Sequence, residues 1–276
     1  MALVDYHVHP SYSIDSRGGS IRDFCEQALN AHLDEICFTT HYDIDPLRKD
    51  VDGFVMVGGD RFPVKSNWVP RYLAEVEDAR REFEPKGLRV WAGLEIDYAS
   101  DFEQLLREEL SSFDFDYYLG AVHCINHQAL SLEPESGRLF RSRTSAELVR
   151  EYLIEVEKAV KSGLFHAIAH LDFYKRFGIR YYGEEILEAH RGLIEPALDL
   201  LAERGICLEI NGLGYQDGFG EPYPGMEILG LAHERGLRLV TVGSDSHDLT
   251  RLGQNLDETM QIVRDFDFEV WRVPAE

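Results

Sequence analysis

Nine side chains of metal-binding type are spaced along this chain: His7, His9, Asp15, His41, Glu95, His123, His170, Asp245 and His247. Imidazole nitrogens and carboxylate oxygens without thiolates suit zinc, iron(II) or manganese. Nine such groups exceed what one tetrahedral ion can use, so two or three ions are implied if the groups converge. Glu95 has two oxygens and can bridge a pair of ions. The alternation in D-x-H-x-H would put His7 and His9 on one side of an extended chain. Taken singly, each residue is more often a hydrogen-bonded histidine or an ion-pair carboxylate than a metal ligand. The metal reading rests on all nine arriving at one place.

Arrival at one place depends on the elements that carry them. Seven short apolar runs recur, at residues 2–6 (ALVDY), 35–40 (EICFTT), 88–96 (LRVWAGLEI), 115–122 (FDYYLGAV), 164–169 (LFHAIA), 206–210 (ICLEI) and 237–242 (LRLVTV). They read as strands, and the stretches between them carry helix signals. Thr144 with Glu147 forms a capping box ahead of Val149, Tyr152, Val156 and Val160, and Gly163 supplies a stop. Ser20 with Asp23 opens another helix, and Leu73, Val76, Ala79 and Phe83 mark a third. Pro224 stands where a first helical turn would start, with Gly236 beyond its end.

Strands separated by helices cannot pair as hairpins, so the spacing predicts a parallel sheet, and seven units predict a closed or nearly closed α/β barrel. A doubly wound open sheet is the competitor. Its nucleotide-binding forms lose support because no G-x-G-x-x-G or G-x-x-x-x-G-K-[ST] follows any strand. All nine groups fall at or just past the C-terminal ends of the strands, the rim where such barrels gather their active-site residues. Residues 43–68 and 125–143 are polar and aperiodic, and read as excursions from one domain spanning 1–276.

The composition removes other functions. With 50 Asp and Glu against 28 Lys and Arg, the net charge is −22, which disfavours a nucleic-acid polymer as partner. No apolar stretch approaches the roughly 20 residues that span a bilayer, and the start MALVDYHVHP is unlike a signal peptide, so a cytoplasmic protein is expected. Cys25, Cys37, Cys124 and Cys207 lie far apart and are read as reduced thiols. His32, His190 and His233 fall in helical stretches and are expected at the surface; His166 is expected to be a satisfied interior residue, and His127 sits in a loop.

The segments DYHVHPSYSIDS, FTTHYD, GLEID, GAVH, AHLD and GSDSH, in that order from residue 5 to 247, resemble the motifs of the polymerase and histidinol phosphatase (PHP) family of metal-dependent phosphoesterases. HLDFYKRFG and EINGLGYQDGFGEPYPGMEILGLA are most similar to its histidinol phosphate phosphatase branch. The resemblance implies a distorted seven-stranded (β/α)7 barrel of the PHP type with a trinuclear site of zinc, manganese or iron. It places His7, His9, Glu95 and Asp245 on a first ion, His123 and His170 with bridging Glu95 on a second, and Asp15, His41 and His247 on a third. Two segments depart from the branch, GAVHCINHQALSLEPESG and NGLGYQDG, the latter without an arginine the branch commonly shows there.

The activity implied is hydrolysis of a small phosphate monoester, with L-histidinol phosphate as the leading substrate and a nucleotide or another phosphorylated metabolite as the alternative. A regulatory protein that keeps the metals without turnover is a third possibility. Three divalent ions would bring six positive charges against three from Asp15, Glu95 and Asp245, inverting the field that the acidic chain presents to a phosphate. Lys175 and Arg176 are candidates to bind the remaining phosphate oxygens, Arg as the bidentate fork. Asp172 is a candidate proton donor or orienter of His170. No C-x5-R or G-x-S-x-G supports a covalent nucleophile.

Overall fold

The computed structural model describes residues 2–274. Eight parallel strands pair in chain order: β1 (Val4–Val8), β2 (Glu35–Tyr42), β3 (Arg89–Asp97), β4 (Tyr117–Ala121), β5 (Ala167–Ile168), β6 (Cys207–Asn211), β7 (Leu239–Gly243) and β8 (Glu269–Val270). All seven expected strands are present, within a few residues of their expected limits. The count of seven is corrected to eight: β8 is only two residues long, too short to show any alternation in sequence.

The sheet curls so that its ends meet at the C-terminal rim. There Val8 bridges Ser246 in parallel, the His9 N–H donates to Ser246 O (2.8 Å), and the Ser246 N–H donates to His7 O (3.3 Å). At the opposite end β8 pairs with β7, and the Val273 N–H that follows it donates to the hydroxyl of Tyr6 in β1 (3.2 Å). The two ends of the molecule are built differently. Below, the buried Glu35 gathers Tyr6, Arg89, Trp91 and Arg272, which ties β1, β2, β3 and the C-terminal segment together. Above, β1, β2, β3, β4, β5 and β7 each deliver a histidine or a carboxylate at or just past the strand end.

Helices cover the outside: α1 (Ile21–Asn30), α2 (Val69–Phe83), α3 (Glu103–Leu110), α4 (Ser145–Ser162), α5 (Tyr174–Tyr182), α6 (Glu195–Arg204), α7 (Met226–Glu234) and α8 (Leu256–Asp265). Both expected capping boxes form, Ser20 with Asp23 and Thr144 with Glu147, and Gly163 closes α4 at φ 67°. With helices outside and a filled interior, all residues of β1 and β6 are buried, the polar Asp5, His7, Glu209 and Asn211 included. Pro224 does not open α7; it precedes the N-cap, Gly225, whose N–H is held by the Asp172 carboxylate (3.0 Å). Among the described residues no helix is long and apolar enough to cross a membrane.

The two excursions contain structure that aperiodic sequence concealed. The first holds an antiparallel hairpin (Phe54–Val57 with Asp60–Pro63), the second a smaller one (Cys124–Ile125 with Gln128–Ala129) followed by a helix, Glu135–Arg141. Arg48, only 4% exposed, locks them together through Asp52, Glu135 and the His127 carbonyl. His127, unplaced from sequence, bridges Asp45 and Asp101 at 2.7 Å each.

Candidate metal centre

Alternation along β1 delivers His7 and His9 to the interior with ring centroids 5.0 Å apart. Glu95, near the end of β3 and 1% exposed, lies between the histidines, and its two oxygens face different groups. Oε2 is 3.2 Å from His7 Nε2, 3.3 Å from His9 Nε2 and 3.1 Å from His41 Nδ1. Oε1 is 3.0 Å from His170 Nε2 and 3.4 Å from His123 Nε2. Asp245 Oδ1 closes the first group at 3.6 Å from His7 Nε2 and 3.5 Å from His9 Nε2. Asp15 forms a further group, 3.5 Å from His41 Nε2 and 3.1 Å from His247 Nε2. The structure therefore brings all nine sequence-selected residues to one rim.

The donors fit divalent ions on two counts. His7 Nε2, His9 Nε2, His41 Nδ1 and His247 Nε2 are buried and make no hydrogen bond, although carboxylate oxygens lie within about 3.3 Å of each. Buried polar atoms are seldom left in that condition unless something else satisfies them. The separations also match the edge of a coordination shell: ligand bonds of about 2.0 to 2.1 Å give tetrahedral edges of about 3.3 to 3.4 Å and octahedral edges of about 2.8 to 3.0 Å. Three overlapping donor sets meet the spatial requirement: His9, Asp15, His41 and His247; His7, His9 and Glu95; and His41, Glu95 and His123. No thiolate enters any of them.

Partners behind the donors fix how they face. The second nitrogen of His9 meets Ser13 Oγ (3.0 Å), and the backbone N–H of His123 donates to Asp97 (2.8 Å). Asp5, buried beneath the rim, accepts from both the N–H (2.9 Å) and the hydroxyl (2.6 Å) of Ser244, next to Asp245. Burial pushes the Asp5 carboxyl up to about 6 against these bonds.

Charges within the cluster set its protonation. Burial would lower His7, but the carboxylates of Asp245, Glu209 and Glu95 outweigh it and hold the ring well above the ordinary histidine range. His41 is raised in the same way by Asp15 and Glu95, and His123, against burial, is held up to about 9 by Glu95. His247 is raised by Asp15. His9 goes the other way: burial and the neighbouring His247 and His41 rings keep it neutral.

A histidine raised in the folded state stabilises the fold fully below its unfolded value, near 6.5, and that contribution is lost as pH rises through the folded value. Chelator-stripped protein should therefore melt at progressively lower temperature from pH 6.5 to 9. Metal-loaded protein should not follow, because ions bind the deprotonated rings and gain affinity with pH. Thermal melts of both forms across this range check it; parallel curves would contradict the clustering of these histidines.

A cavity of about 300 Å³ opens above the donors, lined among others by Asp43, Asp52, Asp97, Phe173 and Arg176. Arg176 reaches it, with Nε also paired to Asp217 (2.8 Å). Lys175 and Asp172 do not line it. Lys175 is 3% exposed and its ammonium is held by Asp172 (2.8 Å) and Glu221 (3.0 Å), about 100° of helical rotation away from the direction of Arg176. His190, expected at the surface, is buried, whereas His32 is exposed in the turn after α1. His166 is packed as expected, accepting the Tyr118 N–H (2.9 Å). Sequence reading passed over Asp43, Asp97, Glu209 and Asn211; the last three each lie two residues from another inward polar residue on a buried strand, a spacing that marks them.

Residues 5–212 match the PHP domain. The probable histidinol-phosphatase of Deinococcus radiodurans is 32% identical over 263 residues, covering 95% of this chain and 93% of that protein. Its counterpart in Thermotoga maritima is 27% identical over 275 residues, covering 99% and 97%. The crystal structure of a histidinol phosphate phosphatase from Lactococcus lactis, complexed with zinc, L-histidinol and phosphate, superposes with a TM-score of 0.80 at 25% identity over 97% of this chain and 94% of that one. The domain match stops short of Asp245 and His247, which the geometry of the rim supplies. Motif order, a curled parallel sheet and similarity over nearly the full length agree, and the chain belongs to the PHP domain family.

Proposed function

We propose that this chain is a metal-dependent phosphate monoesterase that converts L-histidinol phosphate to L-histidinol and phosphate, late in histidine biosynthesis. The observation that carries the reading is Glu95, whose two oxygens face two separate sets of histidine nitrogens at 3.0 to 3.4 Å beneath an open cavity. We take the whole chain as one PHP domain, its sheet as the family's distorted barrel. We assign it to the cytoplasm, in keeping with four buried, unpaired cysteines. Three zinc, manganese or iron ions would be held by His7, His9, Glu95 and Asp245; by Glu95, His123 and His170; and by Asp15, His41 and His247. Bound there, such ions supply acidified water and neutralise phosphate charge.

The chain's own residues would do the rest. Arg176 binds phosphate oxygens through its guanidinium. Asp43, Asp52 and Asp97 give the cavity an acidic wall suited to an alcohol that carries an amine and an imidazole, as histidinol does. That wall would repel a second phosphate, which weighs against a nucleoside diphosphate or a bisphosphate. Asp172 and Lys175, turned toward the Glu221 side, take no part in this reading.

The reading is tested by phosphate release from L-histidinol phosphate with wild-type protein and Arg176→Ala. Loss of one charge-assisted contact of roughly 1.5 to 3 kcal/mol should lower kcat/KM about tenfold to a hundredfold, with metal content unchanged. The loss should recur with every ester tried, since the group bound is the phosphate. Wild-type kinetics in the variant would remove Arg176 from the site.

A further inference from the structure

Of the first seven strands, β6 is the one that contributes none of the nine donors, yet it carries two fully buried polar side chains, Glu209 (1% exposed) and Asn211 (0%). Two residues apart, they share the inner face. Glu209 Oε1 lies 2.7 Å from His7 Nδ1, and Oε2 accepts the backbone N–H of His170 (2.9 Å). The Asn211 amide donates to Glu209 Oε2 (3.1 Å) and to Asp245 Oδ2 (3.2 Å), while its oxygen accepts the Leu213 N–H (2.9 Å), which fixes the orientation of the amide. One strand thus touches donors delivered by β1, by the turn after β5 and by the turn after β7.

We propose that Glu209, supported by Asn211, is a positioning residue for the metal centre, holding His7 with Nδ1 protonated and Nε2 bare. This rests on the metal reading above. A carboxylate can only accept, so the short contact at 2.7 Å requires the proton on Nδ1 and outweighs the 3.4 Å approach of the Asn211 amide to the same nitrogen. Nε2, left without a hydrogen-bond partner, is then the nitrogen that would give up its proton on binding an ion, and it faces the space shared with Glu95 and Asp245. An acceptor behind an imidazole ligand also raises its basicity.

Two further features fit the same role. His170 and Asp245 have φ of 24° and 57°, left-handed backbone that a side-chain-bearing residue keeps only when its surroundings impose it. Glu209 holds the N–H of the first, and Asn211 holds the carboxylate of the second. Gly243 of β7 packs directly on the pair: a Cβ there would fall 2.4 Å from His7 Cβ and 2.7 Å from Glu209 Oε1. The absence of a side chain at Gly243 is what allows the two to meet.

The test is zinc titration against a competing chromophoric chelator, with wild-type protein and Glu209→Gln. The amide keeps the shape of the carboxylate but removes its charge and presents a donor or a neutral acceptor to His7. We expect one zinc equivalent to bind about tenfold to a hundredfold more weakly, the scale on which partners behind metal ligands act, while the stripped variant retains the wild-type circular dichroism spectrum. Unchanged affinity for every equivalent would overturn the proposal. Should the variant not fold, the nitrogen-15 histidine spectrum of zinc-loaded wild-type protein decides: His7 is expected with Nδ1 protonated, and a bare Nδ1 would overturn the proposal. Wild-type protein that takes up no zinc would overturn the metal reading and this proposal with it, whereas normal wild-type loading with equal loading of Glu209→Gln defeats this proposal alone.

Discussion

Glu95→Gln should lose at least one metal equivalent and fall at least about a hundredfold in kcat/KM on L-histidinol phosphate, the scale on which a single preorganised electrostatic contact acts. The change is nearly isosteric, so its effect measures charge and not shape. Oε2 faces His7, His9 and His41, and Oε1 faces His123 and His170, so one carboxylate sits between five rings. Burial alone would raise the Glu95 carboxyl, but His7, His41 and His123 hold it well below the usual range, so the full charge is present at neutral pH. An amide in its place removes that charge and turns an NH2 toward one of the two sets. Elemental analysis with phosphate release measures both effects. Full metal content with near-normal turnover would make Glu95 a structural carboxylate only.

His9→Ala should have the larger effect, loss of metal and activity together, with turnover down by about a thousandfold or more. His9 belongs to two of the three donor sets. Its ring stacks on His247 with centroids 3.9 Å apart and lies 4.3 Å from His41, so its removal also frees those two rings to move. The strand itself should survive. The His9 backbone N–H keeps its bond to Ser246 O, and the void is confined to the rim. Metal content, turnover and the circular dichroism spectrum of the variant together check this; a folded variant with wild-type metal content would remove His9 from the centre.

The donors were legible because parallel strands end where chemistry collects: His41, Glu95, His123 and His170 each sit at the end of an apolar run or just past it. Asp15 and His247 lie in loops past the strand ends; their place after β1 and β7 selected them, and the motif resemblance implied the same two residues. What stayed hidden has physical reasons. Lys175 and Arg176 are neighbours in sequence, but about 100° of helical rotation separates them, and only Arg176 faces the cavity. Glu209 and Asn211 lie on a strand that supplies no donor, so a search for ligands passes over them although a Glu and an Asn two apart in a buried strand are unusual. β8 is held by long-range pairing, Glu269 opposite Leu239, which no local pattern announces, whereas the two small hairpins are local pairings closed by two-residue turns, the first at Gly58-Gly59, in strands too short to show alternation.

The central claim is metal-dependent hydrolysis of L-histidinol phosphate. Its most direct measurement is phosphate release by chelator-stripped protein, before and after reloading with zinc or manganese, on L-histidinol phosphate beside a nucleoside monophosphate and simple sugar phosphates. Stripped protein is expected to be inactive, and reloaded protein to show a kcat/KM for L-histidinol phosphate at least about tenfold above any other ester, an amount that a single well-placed charge contact supplies. Release that persists without metal, a preference for the nucleotide, or no turnover of any ester after full reloading would contradict the account.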